Sequence, residues 1–116
     1  MTALLAPVAE RRRTTRFLPA PGTACRLTDG WSQRLWPARV RDLSACNIGL
    51  VVTEAIEVGT LLALEILNAD QACTVLAVCT RREPAGAGWV LGCEFAAPLP
   101  AAAVAAFRQG AGPCPA

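Results

Sequence analysis

Thr60-Leu61-Leu62-Ala63-Leu64-Glu65-Ile66-Leu67 is the stretch that decides the fold. Read with a period of two, Leu62, Leu64 and Ile66 share one face and Glu65 takes the other. That pattern predicts a strand with one side in a core. Val58-Gly59 before it and Asn68-Ala69-Asp70 after it are turn signals. Working outward, the same grammar repeats. Residues 72–82, rich in Val, Thr and Cys, predict a fifth strand. Pro84 to Gly88 predict a turn, and Trp89 to Phe95 a sixth strand. Towards the N-terminus, Ile48 to Thr53 predict a third strand, entered by a turn over Ser44 to Asn47. Leu35 to Leu43 predict a second strand, the turn signal Asp29-Gly30 precedes it, and Gly22 to Leu27 predict the first.

Short strands with turns between them indicate an all-β fold, a small six-stranded antiparallel β-barrel. Closure removes the edges that an open sheet of such apolar strands would expose. After Pro98 the period changes. Leu99, Ala103 and Phe107 stand at i, i+4 and i+8, with Ala102 and Ala106 alongside, which predicts a short C-terminal α-helix. Pro100 suits an early helical position and Gly110 a stop.

The chain of 116 residues reads as one domain over residues 10–110, with a flexible leader over 1–9 and a frayed tail over 111–116. A hydrophobic share of 53% against 17% charged excludes wholesale disorder. No apolar run reaches the ~18 residues of a membrane helix. Met1 to Ala6 have no basic region ahead of them, so a secretory signal is not expected. A cytoplasmic location without membrane insertion is the expectation.

Cysteines stand at 25, 46, 73, 79, 93 and 114, with no C-x-x-C pair, and the chain has no His. The ligand spacing of a structural zinc site is missing. Cys73, Cys79 and Cys93 fall in apolar strand segments and are expected as buried reduced thiols, with Cys46 more exposed in its polar turn. The lack of His also removes Ser–His and Cys–His couples. No Walker-type phosphate loop occurs. An enzyme is not expected.

Two polar stretches remain. The first is Glu10-Arg11-Arg12-Arg13-Thr14-Thr15-Arg16, an Arg-x-x-x-Arg element in a chain whose 11 basic residues are all Arg. Guanidinium forks match phosphate oxygens and the O6 and N7 acceptors of guanine. By itself the run reads as a solvated basic tail. The second is Arg41-Asp42-Leu43-Ser44-Ala45-Cys46-Asn47-Ile48-Gly49-Leu50. Asp42 and Ser44, two apart at a strand end, are expected on one face. A carboxylate accepts two N–H groups side by side, as guanine N1–H and N2–H present them, and the Ser44 hydroxyl donates or accepts nearby. The turn that follows wants residues tolerant of positive φ, a role assigned to Gly49 and Asn47. By itself this element reads as an ordinary turn.

The pairing, in this order, resembles the PilZ domain family, whose members receive cyclic di-GMP. The resemblance spans residues 10 to 110. Arg12 and Arg16 match the Arg-x-x-x-Arg motif, with Arg11 as the frequent additional Arg. Asp42 and Ser44 match the Asp/Asn-x-Ser-x-x-Gly motif, in which Asn47 stands where Gly is expected. Gly49-Leu50 fits the register of a Gly-x-Gly-Leu variant, and Trp89 to Phe95 looks like the family's last strand. The resemblance implies a split barrel of the PilZ type and a non-catalytic receptor with cyclic di-GMP as ligand and no cofactor. It implies ligand contacts from Arg11, Arg12, Arg16, Asp42, Ser44, Asn47 and Gly49. The basic arm would be mobile when empty and ordered when filled, and the signal would pass to a separate effector protein. A second reading is a PilZ-like adaptor that has lost the ligand and docks a protein. A third is a small barrel for single-stranded nucleic acid. That one needs aromatic platforms, and Trp31 and Trp36 are the candidates in a chain without Tyr, so specific nucleic-acid binding is not expected.

Overall fold

The computed structural model describes residues 16–29, 34–68 and 71–108. Six strands and one helix follow in order: β1 (Ala24–Asp29), β2 (Leu35–Leu43), β3 (Asn47–Val52), β4 (Leu61–Leu67), β5 (Ala72–Ala85), β6 (Gly88–Phe95) and α1 (Ala101–Phe107). The strands close into an antiparallel barrel in the order β1-β2-β3-β6-β5-β4. Closure comes from β1, which pairs with β2 on one side and β4 on the other, so no strand is left as an edge.

The alternation in β4 is realised as predicted. Leu62, Leu64 and Ile66 are buried, and Glu65 lies outside, paired with Arg26 at 2.7 Å. Leu27, Leu43, Ile48, Leu50 and Leu91 meet them from the other strands. Helix α1 adds Ala103 and Phe107, and Leu99 precedes it into the same core. The Leu99 N–H donates to Ala45 O (2.8 Å) and the Asn68 side chain to Ala106 O (3.0 Å), which ties the helix over the barrel end where β2 turns into β3.

β1 runs from Ala24 to Asp29 rather than from Gly22 to Leu27, and β3 starts and ends one residue earlier than expected. Two further boundaries differ for a visible reason. β5 continues to Ala85 because Gly86, at φ 59°, lets Gly86-Ala87 alone reverse the chain, so Pro84 and Gly88 are strand residues. The helix ends at Phe107, since Arg108 is extended (φ −90°, ψ 139°) and bridges to Pro19. Gly110, Gly30, the leader and the tail lie outside the described residues.

The five described cysteines are free thiols. Cys25, Cys79 and Cys93 are buried in the barrel, whereas Cys46 and Cys73 are half-buried. Burial pushes the Cys25 thiol up to about 12, with the Glu65 carboxylate adding to it. Burial, then the neighbouring Cys79 and Cys25, push Cys93 up to about 12. Cys79 is raised too, again chiefly by burial. Among the described residues no group of His, Cys, Asp and Glu side chains is placed to hold a metal, and no helix is long and apolar enough to cross a membrane.

Candidate functional site

The candidate residues gather where β2 passes into β3. Strand β2 carries a bulge between Val40 and Asp42: Val40 pairs with Leu50, but Asp42 pairs with Gly49. Two residues on β2 thus match one on β3. The extra residue turns Asp42 out of the core face that strict alternation from Val40 would give it. Arg41 and Asp42 therefore both lie outside, between buried Val40 and Leu43.

The basic element reaches this place. Arg16 Nη1 donates to Asp42 Oδ1 at 3.0 Å, across 26 residues of sequence. Arg41 Nε donates to Asp42 Oδ2 at 3.2 Å. The carboxylate is thus held by a guanidinium on each oxygen, with the Asp42 side chain 18% exposed and that of Arg16 46%. Arg16 is brought there by its neighbour. Phe17 forms an antiparallel bridge with Leu43, donating to Leu43 O (2.9 Å) and accepting from Leu43 N (3.0 Å). Arg11 and Arg12 lie outside the described residues.

Gly49 corrects the sequence expectation. It is not in the left-handed region but within β3, and its lack of a side chain serves a different need. A Cβ there would stand 2.7 Å from Asp42 Oδ1, so the carboxylate occupies the space a side chain would take. Asn47 is the first residue of β3, where it pairs with Glu94, and its backbone closes the turn on Ser44.

Ser44 follows the strand and is fully buried. Its Oγ accepts from the N–H groups of Asn47 (3.0 Å) and Cys46 (3.2 Å), while Ser44 N donates to Asn47 O (2.9 Å). The hydroxyl thus fixes the β2–β3 turn, while the Asp42 carboxylate faces outward to the arginines. Trp36, one candidate platform for nucleic acid, is a half-buried β2 residue. Its indole donates to Glu54 (2.8 Å), and Arg34 stacks over its ring at 5.0 Å. Trp31 is outside the described residues. An open apolar groove with Pro37, Ala38, Arg39, Val51 and Gly88 in its lining runs further along β2 and β3 and contains none of the motif residues.

Sequence reasoning missed the surroundings of Gly49. Its partner on β6 is Gly92, whose own partner on β5 is Arg81. Gly92 was visible only as a feature of the last strand. The bulge that orients Arg81 leaves no signature in a Val/Thr/Cys-rich run.

Comparison with known proteins bears on this arrangement. No curated protein matches the chain. Among solved structures, the PilZ domain of YcgR from Escherichia coli, solved with c-di-GMP, superposes with a TM-score of 0.58 at 20% identity, over 74% of this chain and 78% of that one. At that identity the likeness is one of fold. The PilZ domain model matches residues 10–110, which take in both polar motifs and the whole barrel. On that match the chain belongs to the PilZ domain family.

Proposed function

We propose that this chain is a receptor for cyclic di-GMP and that the ligand docks on the outer face of β2 and β3, over the Arg16–Asp42 pair. The observation that carries the reading is the 3.0 Å contact between Arg16 and Asp42. It joins two motifs far apart in sequence at one point on the barrel wall. Asp42 offers two acceptor oxygens for the N1–H and N2–H edge of a guanine. Arg16, with Arg11 and Arg12 preceding it, supplies forks for phosphate oxygens and for guanine O6 and N7. Gly49 keeps the floor low under the carboxylate, and Ser44 holds the turn that fixes the end of β2. On binding, the Arg16 fork moves from Asp42 to the ligand and the basic arm orders around it. Ordering costs about 1–2 kcal/mol per residue fixed, so the arm adds affinity only where its arginines find acceptors. The newly ordered arm is the surface shown to a separate effector protein, and the protein acts as a cytoplasmic switch without chemistry of its own.

Calorimetric titration with cyclic di-GMP tests this. The wild type is expected to bind stoichiometrically, and Arg16→Ala and Asp42→Ala each to abolish the heat signal while the far-ultraviolet spectrum stays that of a folded barrel. Undiminished binding by both variants refutes the site.

One observation favours a second reading. Asn47 stands on β3, next along the outer face from Gly49, where the family motif has Gly. A side chain there narrows the approach of a ligand to the backbone, as expected of an adaptor that docks protein instead. A flat wild-type titration of folded protein selects that reading.

A further inference from the structure

We propose that Arg81 is a contact residue of the same site, forming its far wall opposite Asp42; the inference rests on the receptor reading above. Asp42, Gly49, Gly92 and Arg81 form one lateral row across β2, β3, β6 and β5. Adjacent strands stand about 4.8 Å apart, so the backbones of Asp42 and Arg81 lie roughly 14 Å apart along this row.

The two ends of the row are built alike. As β2 bulges between Val40 and Asp42, β5 bulges between Cys79 and Arg81. Cys79 pairs with Cys93 inside the barrel, whereas Arg81 pairs with Gly92 on the outer wall. Strict alternation from Cys79 would have turned Arg81 inward; the extra residue, Thr80, turns it out. The bulge is pinned by the Thr80 hydroxyl on Gly92 O (3.2 Å) and the Cys79 thiol on Arg81 O (3.5 Å).

Each charged side chain then folds down over a glycine. A Cβ at Gly92 would meet Arg81 Cβ at 3.4 Å, Nε at 3.4 Å and Cζ at 3.5 Å, just as one at Gly49 would meet the Asp42 carboxylate. The glycine pair leaves no side chain standing between acid and base. Arg16, Arg26, Arg34 and Arg41 all pair with carboxylates, but the exposed Arg81 guanidinium has no side-chain partner among the described residues. An unengaged fork at the end of a side-chain-free floor takes a pair of acceptor atoms. On a cyclic dinucleotide those are guanine O6 and N7 or phosphate oxygens, presented to Arg81 while Asp42 takes the donor edge.

The test is calorimetry of the full chain with cyclic di-GMP at several salt concentrations, on wild type, Arg81→Ala, Arg81→Lys and Arg82→Ala. Arg82 is the control, a neighbouring cation stacked over Trp89 at 5.1 Å. Arg81→Ala is expected to weaken binding about tenfold or more, Arg81→Lys to recover part of the loss, and Arg82→Ala to bind as wild type does. A shallower salt dependence in Arg81→Ala assigns the fork to phosphate, and an unchanged one assigns it to guanine O6 and N7. Wild-type affinity in Arg81→Ala, or an equal loss in Arg82→Ala, overturns the assignment while leaving the receptor reading intact. A flat wild-type titration overturns both.

Discussion

The carboxylate of Asp42 rests against the backbone of Gly49: a Cβ at position 49 would stand 2.7 Å from Asp42 Oδ1 and 3.2 Å from its Cγ. The glycine is therefore the seat of the acid, and the acid is oriented towards Arg16 because nothing else fills that space.

Gly49→Ala should separate folding from binding. The atoms in the way are the tip of a side chain, which can swing aside, and alanine restricts the unfolded chain, so stability should change by no more than about 1 kcal/mol. Asp42 loses its position, and affinity for cyclic di-GMP should fall about tenfold or more. Thermal melting and calorimetry on the same sample read the two effects, and unimpaired binding contradicts the seating role.

Ser44→Ala should do the reverse of what a ligand-contact role alone predicts. Removing a buried Oγ leaves the N–H groups of Cys46 and Asn47 without their acceptor, a loss of about 1–3 kcal/mol. Urea unfolding should show a lower midpoint with an unchanged slope. A variant as stable as wild type rules out the turn-fixing role.

Arm and helix should prove interdependent in stability. Phe107 is fully buried, and its carbonyl accepts from Ala20 N at 2.8 Å. Phe107→Ala should cost about 3–5 kcal/mol. Hydrogen exchange should speed up at Ala20 as well as within α1, and acceleration confined to the helix contradicts the coupling.

Alkaline pH should weaken the fold through its thiols. Cys25 and Cys93 are pushed from 9.0 to about 12 in the folded barrel. Below pH 9 both states keep these protons and stability is full. Between 9 and 12 the unfolded thiols ionise while the folded ones do not, so stability falls by about 1.4 kcal/mol per pH unit for each thiol. The loss is complete once pH has passed the folded value. The chain has no Lys and no Tyr, whose titrations would otherwise fall in this window. Denaturation midpoints at pH 8 and 10.5 should therefore differ, and Cys93→Ala should make the slope shallower. A flat profile rejects the buried neutral thiols.

Much of the barrel was legible because its strands obey one simple rule. Leu35 to Leu43 is β2 as expected, and Leu62, Leu64 and Ile66 point where alternation sends them. The rule fails at the bulges, and both bulges border the glycine pair. Asp42 was found because a motif flagged it, not because its face could be read. Arg81 had no motif, and counting by twos from Cys79 places it on the wrong side. Gly49 was noticed for the wrong reason, since an extended glycine and a left-handed one look alike in sequence. Only coordinates show that a carboxylate needs the room. The Arg-x-x-x-Arg element was half legible in the same sense: the forks are evident in sequence, but the Phe17–Leu43 bridge that delivers Arg16 joins two apolar residues that carry no motif.

Phe17 has a second neighbour besides Leu43. The Arg108 guanidinium sits over its ring at 5.9 Å, Pro19 bridges to Arg108, and Ala20 binds the last carbonyl of the helix. The short run from Arg16 to Ala20 thus works as a clasp, with one end on the acid and the other on the helix terminus. An event at Asp42 that pulls on Arg16 has two outlets: it drags α1 along, or it snaps the Ala20–Phe107 link. In either case the disturbance surfaces at the C-terminal end of the helix, on the far side of the clasp from Asp42.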